Sequence, residues 1–147
     1  MKERSLLHRL FTILGLLVLL LVVGVPTRGA SANATCRASQ CNWMDPYGTT
    51  CWNDAINAVV RFGPNGSYFY NVNKYSPGCV ANWSYTRSTN GKAWLAAQTA
   101  GVYTYHGDRL YNYVWNNMWD GSNTVCTRGY KGFHYKQYNW VTPYGCG

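Results

Sequence analysis

The side chains able to do covalent or acid–base chemistry are few. Beyond the N-terminal apolar segment the acids are Asp45, Asp54, Asp108 and Asp120, there is no Glu, and the histidines are His106 and His134. A glycosidase needs a pair of carboxylates across the scissile bond. Asp45 precedes Pro46 and reads as a turn residue, Asp54 as a turn cap or a partner of Arg87, and Asp120-Gly121 as a hairpin turn. A serine hydrolase usually carries Gly-x-Ser-x-Gly, which is missing. The histidines are few and read as surface residues. The expectation is a non-catalytic protein without a cofactor; a small hydrolase using Asp and His is the alternative.

Six cysteines offer a second chemistry: Cys36, Cys41, Cys51, Cys79, Cys126 and Cys146. An even count in a small exported chain reads as three disulfides, which leaves no free thiol for nucleophilic catalysis. Zinc would require Cys-x2-Cys or paired Cys/His spacings, and none occurs. Of 15 pairings, the expected one is Cys36–Cys41, Cys51–Cys79 and Cys126–Cys146. Its rival joins Cys36 to Cys51 and Cys41 to Cys79. Asp120-Gly121-Ser122-Asn123 lacks the acidic density and closing Glu of a calcium loop, so no metal is expected.

Binding chemistry is better supplied. The chain holds 7 Trp, 13 Tyr and 4 Phe, more than a core of this size can bury. Contiguous exposed aromatics mark binding surfaces, and flat rings beside Asn, Asp and Tyr suit sugar rings and hydroxyls. Trp83, beside Cys79, is assigned to the core. Trp94, Tyr111, Trp115 and Trp119 are the candidate ligand-binding residues. The expected partner is a glycan or an anionic cell-envelope polymer. A membrane-active, antimicrobial or toxin-like role is the other alternative, since small size, positive charge and disulfides suit attack on anionic membranes. Nucleic acid is not an expected partner of an exported protein. The sequence does not fix the oligomeric state.

The export signal lies at the N-terminus. Lys2, Arg4 and Arg9 precede an apolar run from Leu10 to Val25, ended by Pro26, with Ala30-Ser31-Ala32 placed for cleavage. The run falls short of the ~20 apolar residues of a membrane span. Residues 1–32 are therefore expected to be a signal peptide and residues 33–147 one secreted domain, with no stable membrane insertion after cleavage near Ala32. That domain has a net charge of about +5, which suits an anionic surface or plain solubility.

The elements that would position these residues are strands. Cys36–Cys51 reads as a loop pinned by cysteines. Ala55–Phe62 is too short for periodicity to separate strand from helix, but Val59-Val60 and the Gly63-Pro64-Asn65-Gly66 turn favour a strand. Ser67–Tyr75, Val80–Arg87, Ala93–Thr99, Gly101–His106 and Leu110–Trp119 follow as strands, with a final hairpin from Thr124–Arg128 to Tyr135–Val141. Asn90-Gly91 predicts a hairpin between the third and fourth. Such short, regularly spaced strands give an all-β fold, a small disulfide-stapled barrel or sandwich of antiparallel strands.

Three segments stand at fixed spacings: Cys36-x4-Cys41, Asp45-Pro46-x4-Cys51-x2-Asp54-Ala55, and Tyr75-Ser76-Pro77-x-Cys79-x3-Trp83. Together they resemble an uncharacterised family of small secreted bacterial proteins, known only as a domain of unknown function. The resemblance covers the first half of the secreted part and extends loosely through Met118–Gly121. Asn71 and Asn73 stand where the family's strand is more apolar, and Tyr85 where a basic residue is expected. The family implies a bacterial source, which would make the sequons at Asn33, Asn65 and Asn82 incidental. It brings no activity, cofactor or site residues.

Overall fold

The computed structural model describes residues 36–101 and 103–147. The expected signal peptide, its cleavage point at Ala32, and the sequon at Asn33 lie outside the described residues. Among the described residues no helix is long and apolar enough to cross a membrane.

Among the described residues, ten short strands alternate with turns and form two antiparallel sheets. The first sheet contains β1 (Ile56–Phe62), β2 (Phe69–Ser76), β3 (Ala81–Ser88) and β6 (Tyr113–Trp115) in that order, with β7 (Trp119–Asp120) also on β3. The second contains β10 (Gly145–Cys146), β8 (Cys126–His134), β4 (Trp94–Thr99) and β5 (Tyr103–His106), with β9 (Gln137–Val141) also on β8. The fold is the disulfide-stapled sandwich of the two expected forms, with no closed barrel. The Cys36–Cys51 loop contains a 3-10 turn at Ala38–Cys41 and runs into a one-turn helix, α1 (Thr50–Asn53), capped by the Thr49 hydroxyl.

The three disulfides are Cys36–Cys41, Cys51–Cys79 and Cys126–Cys146, the expected pairing and not its rival. The first two lie side by side on Trp83, which is fully buried with Met118 and Ala81. Asp54 fixes the turn between β2 and β3. One of its carboxylate oxygens accepts from the Ser76 hydroxyl, and the other accepts from Gly78 N–H at 2.8 Å. It therefore serves as a turn cap.

The interior between the sheets is largely polar. Strand alternation sends Asn71, Asn73, Asn82, Ser84 and Thr86 to the face that meets the second sheet. Asn71 Nδ2 donates to Ser84 Oγ at 2.6 Å and Thr86 Oγ1 at 3.1 Å, and its Oδ1 accepts from Thr127 Oγ1 at 2.8 Å. Asn73 donates to the carbonyls of Val125 and Gly145, and Thr86 donates to the Ala96 carbonyl. Buried polar groups carry little penalty when they are hydrogen-bonded. Asn71 and Asn73 thus bolt the two sheets together. Asn82, the third sequon position, is buried among them.

Two expectations are corrected. Asn90-Gly91 does not join a hairpin: β3 and β4 belong to different sheets, and the turn carries the chain across the sandwich. The free edge of β3 is taken by β6 and β7, while Leu95 and Ala97 of β4 bury with Ala93 and Val114. The buried Lys131 ammonium secures the crossing by donating to Asn90 Oδ1 at 2.6 Å and to the Ser67 carbonyl at 2.8 Å. Leu110–Trp119 is likewise not one strand. Its ladder breaks after Trp115, where the Asn116 side chain turns inward and accepts from Ser84 N–H at 2.9 Å and Thr99 Oγ1 at 3.0 Å. That amide oxygen replaces a backbone carbonyl, and pairing with β3 resumes at Trp119.

Candidate functional site

Register decides which side chains share the outer face of the first sheet. Directly paired residues align in rows across β1, β2, β3 and β6. One row is Phe62, Tyr70, Arg87 and Tyr113; the next is Val60, Val72, Tyr85 and Trp115; Asn57, Lys74 and Trp83 follow. The opposite face is the polar interior, and this one carries aromatics, Val60, Val72, Asn57 and two cations.

The disulfide-pinned loop covers only the Trp83 end. Trp52 of α1 lies nearly parallel to Trp83, with centroids 6.1 Å apart and 19° between planes, and meets Trp115 edge-on at 5.3 Å. Tyr47 stacks on Trp115 at 5.4 Å. Trp115 stacks on Tyr113 at 5.9 Å, and Tyr113 on Tyr85 at 5.6 Å. The result is a continuous row of rings from Trp52 to Tyr85. Tyr47 is 64% exposed and Tyr113 46%, so the row faces solvent. Asp45 Oδ1 fixes it by accepting from Trp115 Nε1 at 2.9 Å while also accepting from Tyr47 N–H at 2.9 Å.

A concavity lies on either side. One, of about 630 Å³, is lined by Asp45, Lys92, Arg109, Tyr111, Tyr113 and Trp115. The other, of about 410 Å³, lies over β1 to β3 and is lined by Phe62, Tyr70, Lys74, Tyr85 and Arg87 among others. Lys74 Nζ stands 5.7 Å from the Tyr85 centroid. Partial burial lowers the Lys74 ammonium pKa and raises that of the Tyr85 hydroxyl, the latter opposed by Arg87.

Of the four residues predicted from sequence, Tyr111 and Trp115 share the larger concavity. Trp94 is on the second sheet, tilted against Tyr135 at 5.5 Å. Trp119 meets Trp43 edge-on at 5.6 Å and lines a separate hollow with Asn42 and Tyr144. The four do not form one surface. Tyr47, Trp52, Tyr85 and Tyr113 complete the row and were not singled out from sequence. The two-residue spacing of Tyr111, Tyr113 and Trp115 carries a signal for Tyr113. Tyr47 and Trp52 arrive through the folded cysteine loop, which no periodicity announces.

Asp108, Asp120 and His106 are engaged locally. Asp108 accepts from Tyr111 hydroxyl at 2.7 Å, and Asp120 accepts from Ser122 N–H at 2.9 Å, closing the turn expected there. Hydrogen bonds from Ser122 hold the Asp120 pKa below its ordinary value. His106 Nδ1 lies 2.8 Å from the Tyr138 hydroxyl, the rings stacked at 5.5 Å. His134 is exposed near the β8–β9 turn. Among the described residues, the one cluster of three or more Cys, His, Asp or Glu is Cys36, Cys41, Cys51 and Cys79, already joined in two disulfides.

No family model, no curated protein and no solved structure matches the chain.

Proposed function

We propose that this is an exported, non-catalytic protein that binds a glycan of the cell envelope along the row of rings from Trp52 to Tyr85. The observation that carries this reading is the row itself: Tyr47, Trp115, Tyr113 and Tyr85 in successive stacked pairs, with Trp52 edge-on at one end, over a sheet face, open to solvent and flanked by hollows. Exposed rings held in a fixed line present apolar surface to successive sugar units with a reduced ordering penalty at binding. Hydroxyl and amide groups at the hollows, from Tyr111, Asn112 and Asn117, supply hydrogen bonds to sugar hydroxyls. Membership in the family of small secreted bacterial proteins, read from the cysteine and Trp spacing, belongs to the same proposal, as does export through residues 1–32. A non-catalytic role is supported by the local engagement of Asp45, Asp54, Asp108 and Asp120.

The test is retention on purified cell-wall glycan. Tyr113→Ala and Trp115→Ala should each bind weakly while melting cooperatively, and Trp94→Ala should bind like the unaltered protein. Leakage of anionic liposomes with no glycan retention would replace this reading with the membrane-active one.

A further inference from the structure

We propose that the hollow over β1 to β3 is an anion subsite, so that the glycan bound along the ring row carries carboxylate or phosphate groups. This rests on the glycan-binding reading and adds the ligand's charge class.

Three observations converge. First, Lys74 and Arg87 occupy adjacent strands on the same outer face and line one hollow with Asn57, Tyr70 and Tyr85. Among the described residues no acidic side chain lines that hollow and neither cation has a carboxylate partner. Second, the site is built into the sheet. Lys74 lies between Asn57 and Trp83 in the register, and its ammonium is drawn over the Tyr85 ring at 5.7 Å. Arg87 is bracketed by Tyr70 and Tyr113. Third, the hollow adjoins the row directly, since Tyr85 both lines it and stacks on Tyr113. Two cations beside aromatic side chains, Lys74 partly withdrawn from water and Arg87 exposed next to it, favour an anion more than either charge standing alone in solvent. A sugar ring lying on Tyr113 and Tyr85 places a substituent at the hollow. A guanidinium and an ammonium there suit a carboxylate or a phosphate, with the fork geometry of Arg87 fitting either bidentately. A neutral sugar would leave both charges uncompensated.

Binding by the full secreted chain is measured on three polymers at low and raised salt: polygalacturonate as the carboxylate arm, wall teichoic acid as the phosphate arm, and chitin as the neutral arm. Preferential retention of one or both anionic polymers is expected, weakening as salt rises. Lys74→Gln and Arg87→Gln should each lower that retention about tenfold, the worth of one charge-assisted hydrogen bond, and leave chitin binding unchanged. Lys74→Arg should restore the preference, and thermal melts should show all variants folded. Equal retention of neutral and anionic polymers, or an anionic preference untouched by both Gln variants, would overturn the subsite and leave the ring row standing. No retention of any polymer, with Trp115→Ala behaving like the unaltered protein, would remove the glycan reading and the subsite together.

Discussion

The indole Nε1 of Trp115 donates a 2.9 Å hydrogen bond to Oδ1 of Asp45, 70 residues earlier in the chain. It ties the cysteine-pinned loop to β6 and sets the plane of the central ring in the row. Asp45 is exposed, so the bond contributes modestly to stability and mainly to orientation. Asp45→Ala should lower glycan retention about fivefold, the worth of one hydrogen bond, with only a small change in melting temperature. Retention equal to that of the unaltered protein would show that Trp115 keeps its orientation without Asp45.

The disulfides should contribute unequally. Cys51–Cys79 spans 28 residues and Cys36–Cys41 spans five. Loop-closure entropy gives about 3.6 kcal/mol for the first and about 2 kcal/mol for the second. Denaturant titrations of Cys51→Ser with Cys79→Ser, and of Cys36→Ser with Cys41→Ser, should reproduce that order. Peptide mapping without reductant should recover the same bridges. A fragment joining Cys36 to Cys51 would instead establish the rival pairing.

The polar interior makes a sharper claim. Asn71→Leu keeps the side chain's approximate shape but takes a partner from the hydroxyls of Ser84, Thr86 and Thr127. Ser84 and Thr86 keep their bonds to the Arg128 and Ala96 carbonyls, while the buried Thr127 hydroxyl loses its acceptor, which should cost about 1–3 kcal/mol, read as a lowered denaturant midpoint. A loss below about 1 kcal/mol would mean that the Thr127 hydroxyl finds another partner.

His106 should impose a pH dependence. Burial, then the charge of Lys136, holds its pKa below the ordinary value. The unfolded chain therefore takes up the proton first as pH falls through about 6.5. The stability contribution is fully present above that pH, and it is lost as pH falls toward the folded-state pKa. His106→Phe keeps a ring against Tyr138 and should flatten the fall in melting temperature between pH 7 and pH 5. An unchanged slope would assign the dependence to other groups.

Much of this architecture is written in local signals. Gly63–Gly66, Asp120-Gly121 and the alternation of β2 and β3 mark strands and turns because such backbone geometry favours particular residues. The Cys51–Cys79 bridge fits position: the two cysteines precede β1 and β3, the strands that flank β2. The hidden features depend on partners distant in the chain. Asn71, Asn73 and Asn116 have the composition of turns, yet lie buried because hydroxyls and carbonyls of the opposite sheet meet them. Asn90-Gly91 has the chemistry of a hairpin, and only competition for the edge of β3 makes it a crossing. Of the five rings in the row Trp115 was legible, and Tyr111 lines the hollow beside it through strand spacing. Tyr47 and Trp52 reach it by way of a loop folded on two disulfides.

The central claim is that a glycan lies along the rings from Trp52 to Tyr85. The most direct test follows the indole N–H resonances of the folded protein by two-dimensional NMR during titration with solubilised cell-wall glycan fragments. Trp115 and Trp52 should shift together and saturably, while Trp94, on the opposite sheet, stays fixed. Shifts confined to Trp94, or no indole shift in a titration where the fragments bind, would contradict the assignment of this face as the binding site.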